Sequence, residues 1–269
     1  MTKTFSTPII GLHGASGSGK SELASTFRLL KPATVTLSLA DPIKEFLHMV
    51  FDIQKDNLWG ASNARNLPLY SLREPRAWDL ARIRFNSFAQ DWLTRINLNR
   101  FVSLTDWFDR AEHTCFSNPT PSSARDLCRS LGEDWGRGHD SYVWTRYLAR
   151  RIDRHLSSNR FGPSPFELID IEDVRRAIDV DALNKWGGAL VVVQRQGYQN
   201  VTTEHASDAD IYSPEVMAMA HINYEQPTHD SWGATRTSFA RKFITTELPG
   251  KVYTGECRIW EKHHGHSHP

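Results

Sequence analysis

The chain has 269 residues, 39% hydrophobic and 23% charged, and 32 Lys and Arg balance 31 Asp and Glu to a formal net charge of +1. That balance describes one large globular domain, or one domain with a substantial insertion, and excludes a disordered or collagen-like chain. No apolar run approaches the roughly 18 residues of a membrane span, and the three cysteines lack C-x-x-C spacing, which argues against a disulfide scaffold or a cysteine zinc site. The N-terminal residues lack a secretory layout, so a cytoplasmic location is expected.

In chain order, residues 7–12 form a short apolar run ending in glycine, the pattern of a buried strand. A glycine-rich turn follows, then a helical pattern from Ser21 to Leu30 with Leu23, Phe27 and Leu30 on one side. Residues 33–39 read as a second strand. Asp41-Pro42 opens a helix through Phe51, with proline in the first turn. This β-loop-α-β-α opening predicts a doubly wound α/β fold with a parallel sheet flanked by helices.

The region from 52 to 159 carries no strand pattern and reads as a large helical insertion, with a loop at 113–123 and a long helix from Ser141 to Leu156. Between residues 65 and 160 lie sixteen Arg, no Lys and eleven Asp or Glu. Arginine grips phosphate oxygens in pairs where lysine acts as a point charge. A compositional habit with solvated faces explains the bias equally well, and interleaved acids argue against a surface for long nucleic acid. Strand patterns return at 165–171 and 189–194, separated by a helix that ends at Gly187-Gly188. Residues 196–214 are loop-like, a late helix spans about 235–247, and 261–269 form a His-rich tail whose metal affinity reads as adventitious.

The chemistry-bearing motif is Gly14-Ala-Ser-Gly-Ser-Gly-Lys-Ser21, a full match to G-x-x-x-x-G-K-[ST] between a strand and a helix. Gly14, Ser16, Gly17, Ser18 and Gly19 would turn backbone N–H groups toward the phosphates of ATP. Lys20 would reach the outer phosphates, and Ser21 would hold Mg²⁺. Asp173, at the end of the third expected strand, is a second candidate for the metal shell, or else caps the next helix. The motif alone also fits a motor ATPase, a GTPase or a DNA packaging enzyme, but no N-K-x-D element is present and the 165–173 strand does not end in two acids after a long apolar run.

Beyond the loop, "SLADPIKEFL", "LWGASNARN", "SARDLCRSLGEDWGR", "DVRRAIDVDALNKWGG", "VVVQRQG" and "EHASD" follow in order. Together these segments resemble the deoxynucleoside monophosphate kinases of tailed bacteriophages over about residues 8–210. The resemblance implies a P-loop kinase core at 1–51 and 160–260, a lid at about 196–214, and an acceptor-binding insertion at 52–159. It implies that Asp41 and Lys44 face the acceptor phosphate and the reaction centre, and that Arg65, Arg125, Trp135 and Arg137 line the deoxynucleotide pocket, though Trp135 equally suits a core position. Asp173 and Arg175 would sit by the metal and the transferring phosphoryl group, Arg195 would enter the lid, and His205 to Asp208 would lie in its mobile part. Lys20, Asp41 and Arg175 would be catalytic. Departures from the family pattern include Arg176 after "DVR", and Asp179 and Asp208 where glutamate is usual. The implied activity is ATP- and Mg²⁺-dependent formation of a deoxynucleoside diphosphate in the host cytoplasm. A homodimer stays open. Rival readings are a kinase acting on dephospho-coenzyme A or a modified-base deoxynucleotide, and a P-loop ATPase or nucleotide-binding regulatory module.

Overall fold

A computed structural model describes residues 7–15, 17–60, 62–158, 166–195, 213–220, 222–226 and 232–248. Five parallel strands, β1 (Ile9–His13), β2 (Thr34–Ser38), β3 (Leu168–Glu172), β4 (Ala189–Arg195) and β5 (Ile222–Gln226), form one sheet in the order β2-β3-β1-β4-β5. The fold is α/β. A central strand of such a sheet is covered on both faces, so it reads as a near-continuous apolar run, as Ile9–Leu12 does, and all five residues of β1 are buried.

Alternation along β1 sends Ile10 and Leu12 to one face and Gly11 to the other. The first face is closed by α1 (Lys20–Leu30) through Leu23, Ala24 and Phe27, and by Ala240 and Phe243 of a C-terminal helix. On the other face a Cβ at Gly11 would lie 2.4 Å from Leu183 Cδ2 of the helix following β3, so that helix packs directly on the backbone of β1.

Two compact units emerge along the chain. The sheet unit comprises residues 1–39 and 148–269, and the helical unit comprises 40–147. The helical unit therefore begins with α2 (Asp41–Phe51), earlier than the sequence boundary at 52. The reason is the apolar side of α2: Phe46 packs on Trp92 (centroids 4.5 Å apart), Phe85 and Trp107, and Phe51 stacks on Phe108. Short α3 (Lys55–Trp59) and α4 (Ser62–Arg65) lead to α5 (Pro75–Ile96) and α6 (Phe101–Ser117). The loop expected at 113–123 is shorter than its composition suggests. Helix α6 runs through Ser117, because Cys115 is buried and Thr114 bonds back to the Arg110 carbonyl. Asn118-Pro119 then ends it.

Helix α7 (Ala124–Arg129) starts on a capping box, in which Ser123 and Asp126 satisfy each other's backbone N–H. It continues into a π-helical turn at Ser130–Arg137. Wide π turns are rare and cluster at functional sites. Here the turn brings the backbone at Gly136 against Trp144, where an added Cβ would lie 2.2 Å from Cζ2. Helix α8 (Val143–Ser158) follows, two residues beyond the expected start and end. In the sheet unit, α9 (Ala177–Lys185) links β3 to β4, α10 (Pro214–Ala218) precedes β5, and α11 (Trp232–Thr246) is the C-terminal helix closing the first face. Among the described residues no helix is long and apolar enough to cross a membrane.

Candidate nucleotide-binding site

The turn from β1 to α1 is shaped by glycines. Gly14, Gly17 and Gly19 adopt φ of 148°, 79° and 98°, values that side chains rarely tolerate. Gly14 has a second constraint: a Cβ there would sit 2.3 Å from the Val193 carbonyl of β4 and 2.8 Å from Ser18 Oγ. The loop is therefore held tightly against the sheet at the C-terminal ends of its strands, where open α/β folds bind ligands. Lys20, the first residue of α1, donates from Nζ to the Gly14 carbonyl at 2.6 Å and the Ala15 carbonyl at 2.8 Å, and so curls over the loop. Ser18 is 1% exposed and its Oγ has no hydrogen-bond partner. A buried hydroxyl left so costs about 1–3 kcal/mol, which is consistent with a loop built to receive a polar group. The Cβ-excluding backbone, the folded-over lysine, the orphaned hydroxyl and the helix N-terminus suit phosphate oxygens. Ser21 is exposed at the helix start, and Ser16 lies outside the described residues.

Beside the loop, register pairs Gly11 with Ile171, so β3 runs out alongside the end of β1, and Asp173 directly follows its last residue, Glu172. Asp173 takes a left-handed conformation, φ 65°, and its Oδ1 is 3.4 Å from Arg175 Nη2. Two contacts fix this turn. The buried His13 donates from Nδ1 to the Val174 carbonyl at 2.7 Å, and the buried Asp179 accepts from the Arg175 and Arg176 N–H groups at 3.4 and 3.1 Å. Asp179 thus caps α9, leaving the Asp173 carboxylate next to Arg175. Ser21 and Asp173 carry oxygens of the kind Mg²⁺ takes; among the described residues no three His, Cys, Asp or Glu side chains gather into a metal-binding group.

His13 and Asp170 were not singled out from the sequence. Asp170 points to the α1 face of β3 and is fully buried, with both oxygens lacking a hydrogen-bond partner. Arg28 of α1 approaches only to 4.0 Å, while its Nη1 is 3.6 Å from Glu172 and donates to Thr36 Oγ1 at 2.9 Å. Burial, reinforced by the Glu172 charge and only partly opposed by Arg28, pushes the Asp170 carboxyl up to about 8. The signal for His13, a histidine ending an apolar strand just before the glycines, was visible in hindsight.

In the helical unit, Asp41, Lys44 and Trp59 meet at the start of α2. Trp59 Nε1 donates to Asp41 Oδ1 at 3.3 Å, and Lys44 Nζ lies 5.9 Å from the Trp59 ring centre. Lys44 is largely buried. Trp59 was not among the expected site residues, although it lies in the "LWGASNARN" segment. Arg65 ends α4 and Arg125 lies in α7; the strands of chain just beyond and before them are joined by a Pro68–Ser123 bridge and by the Leu69 N–H bonding to the Ser122 carbonyl. Arg137 is held within its own segment, with Nε 3.6 Å from Glu133 Oε1 and Nη1 donating to the Ser141 carbonyl at 2.9 Å. Trp135 is core: 2% exposed, its ring 5.7 Å from Trp92, its indole N–H donating to Ser103 Oγ at 3.0 Å. That same Ser103 hydroxyl bonds His139 Nε2, and burial together with the Arg100 charge pulls the His139 imidazole below its ordinary range. The expected lid at 196–214 is described only at Ser213 and Pro214, His205 to Asp208 and the His-rich tail lie outside the described residues, and of Arg195 only the backbone is described. A scan against models of known protein families gives no match, and a search of curated proteins returns no similar chain.

Proposed function

We propose that the chain is an ATP- and Mg²⁺-dependent kinase that converts a deoxynucleoside monophosphate to the diphosphate, of the kind that tailed bacteriophages use to supply DNA precursors. The observation carrying this reading is the β1–α1 turn: three glycines in left-handed backbone, a lysine curled over the loop, and a buried hydroxyl with no partner. Phosphoryl transfer needs positioning and charge neutralisation more than covalent chemistry. In this scheme the loop N–H groups hold the triphosphate, and Lys20 turns from the Gly14 and Ala15 carbonyls to the outer phosphates. Ser21 and Asp173 hold the metal, which when bound offsets charge on the transferring phosphoryl group. Arg175 is assigned to that same charge, with its approach set by the Asp173 pair.

The helical unit is assigned the acceptor, with Asp41 and Lys44 toward its phosphate and reacting end, and Arg65, Arg125 and Arg137 gripping it; Trp135 supports the segment that carries Arg137 from within the core. Residues 196–214 are assigned to a lid over the nucleotide. A coupled assay of ADP release against each deoxynucleoside monophosphate tests the reading. Acceptor-dependent ADP formation that disappears in Lys20→Ala supports it. ADP release that ignores the acceptor favours an ATPase or regulatory module. Release only with another phosphoryl acceptor favours the related kinase reading.

A further inference from the structure

A second polar cluster lies in the sheet unit, where edge strand β5 meets α11. Tyr224 sits in β5 opposite Val193 of β4 and is 4% exposed, yet its hydroxyl has no hydrogen-bond partner. Over it lies Phe239, with ring centroids 4.4 Å apart and planes tilted by 33°. Arg236 stands three residues earlier in α11, hence on the same side of the helix as Phe239. Its Nε and Nη1 are enclosed and make no hydrogen bond, and no ion pair reaches it among the described residues. The Arg236 charge is felt at the Tyr224 hydroxyl, where it opposes the upward push of burial on the phenol.

An enclosed guanidinium edge offers donors only, and a phenol can add one more. Arg236 is half-buried, and enclosing donors of a charged group without an acceptor costs more than leaving a neutral group unpaired. What answers both is an acceptor that carries negative charge; a metal ion would be repelled, and a water would leave the charge uncompensated. We propose that Tyr224 and Arg236 form a binding site for a small oxyanion of the phosphate or carboxylate type, walled by Phe239 and built from residues other than those of the β1–α1 turn, which Val193, the strand partner of Tyr224, touches at Gly14. The first turns of α11 follow the C-terminal end of β5, the sheet edge at which α/β folds take ligands. The proposal does not depend on the kinase reading.

The test uses the full chain with arginine side chains labelled for ¹H–¹⁵N spectra. Inorganic phosphate, acetate and chloride are titrated at matched ionic strength. Arg236→Lys identifies the Arg236 Nε–H resonance by its loss. Phosphate or acetate should shift that resonance saturably in the parent and equally in Lys20→Ala, and the stronger of the two names the ligand type. Tyr224→Phe should weaken the binding about three- to tenfold, the usual effect of losing one hydrogen bond. A shift matched by chloride overturns the proposal, as does a phosphate or acetate response that vanishes in Lys20→Ala and so belongs to the glycine loop. Silence of the Arg236 resonance toward both anions overturns it as well.

Discussion

Replacing Asp170 with asparagine should remove a pH dependence of stability that this one carboxyl imposes. The folded protein holds Asp170 protonated up to about pH 8, whereas an unfolded chain releases that proton near the ordinary value of 3.8. Between those limits the folded state binds the extra proton, so stability is fully present below about pH 4 and is lost as pH rises toward 8. At about 1.4 kcal/mol per pH unit, the gap caps the loss at about 5–6 kcal/mol. Against a typical total of about 5–15 kcal/mol that is a large share. Asparagine keeps the shape and has no proton to lose. Its amide enters a site with no hydrogen-bond partner, which costs about 1–3 kcal/mol at every pH. The informative quantity is therefore the difference in slope, not the offset. Urea unfolding of parent and Asp170→Asn at half-unit steps from pH 5 to 9 should give curves that converge or cross as the pH rises. Glu172→Gln, which removes the neighbouring negative charge that helps hold the proton on Asp170, should make the loss smaller and bring its end to lower pH. Parallel curves for parent and Asp170→Asn across the whole range would refute the reasoning, because Asp170 would then titrate alike in the folded and unfolded chains.

Lys20→Ala should lower phosphoryl transfer by about a hundredfold or more while circular dichroism stays that of the parent, and turnover within about tenfold of the parent would detach the kinase reading from this loop. Asp173→Asn should depress turnover with little change in acceptor KM, with partial recovery at raised Mg²⁺. Arg137→Lys should raise acceptor KM by roughly 10- to 150-fold, since one ammonium does not replace a two-pronged fork; steady-state kinetics showing both variants silent would undo the assignment of these residues. Trp92→Ala should destabilise the helical unit by about 3–5 kcal/mol, because the indole fills the centre of the Phe46–Trp135–Trp144 cluster and its N–H donates to the Pro42 carbonyl at 2.9 Å. A loss below 1 kcal/mol in urea unfolding would contradict that packing.

Sequence pattern carried the parts of the molecule in which local chemistry and structure agree. The apolar runs of β1 and β4 name central strands, and the glycine spacing names the turn, because left-handed backbone at Gly14, Gly17 and Gly19 requires that residue type. Other parts depend on partners far along the chain. Leu168-Ile-Asp-Ile-Glu172 reads as a strand, but nothing local says that Asp170 is enclosed, which follows from the docking of α1. Arg137 is recognisable as a phosphate-gripping type, but its pairing with Glu133 and Ser141 follows from the π turn, which no residue pattern announces. Helix α2 looked like part of the sheet unit because it directly follows β2; its membership in the helical unit is decided by aromatic residues 40 to 60 positions downstream. Edge strand β5, short and mostly polar, gave no clear signal.

The placement of tryptophan has an optical consequence. Trp78, Trp92, Trp107, Trp135 and Trp144 are all sealed inside the helical unit, and Trp59, 40% exposed, lies at its surface against Asp41 and Lys44. Emission from the sealed indoles should be blue-shifted and shielded from acrylamide, and the close Trp92–Trp135 and Trp92–Trp144 pairs should couple their transitions into strong near-ultraviolet dichroism. Within this unit a quencher therefore addresses Trp59 first. The protein carries a native fluorophore beside the residues assigned to the acceptor, and with Trp232 and Trp260 replaced by Phe the quenchable fraction of its emission can follow ligand arrival without any added label.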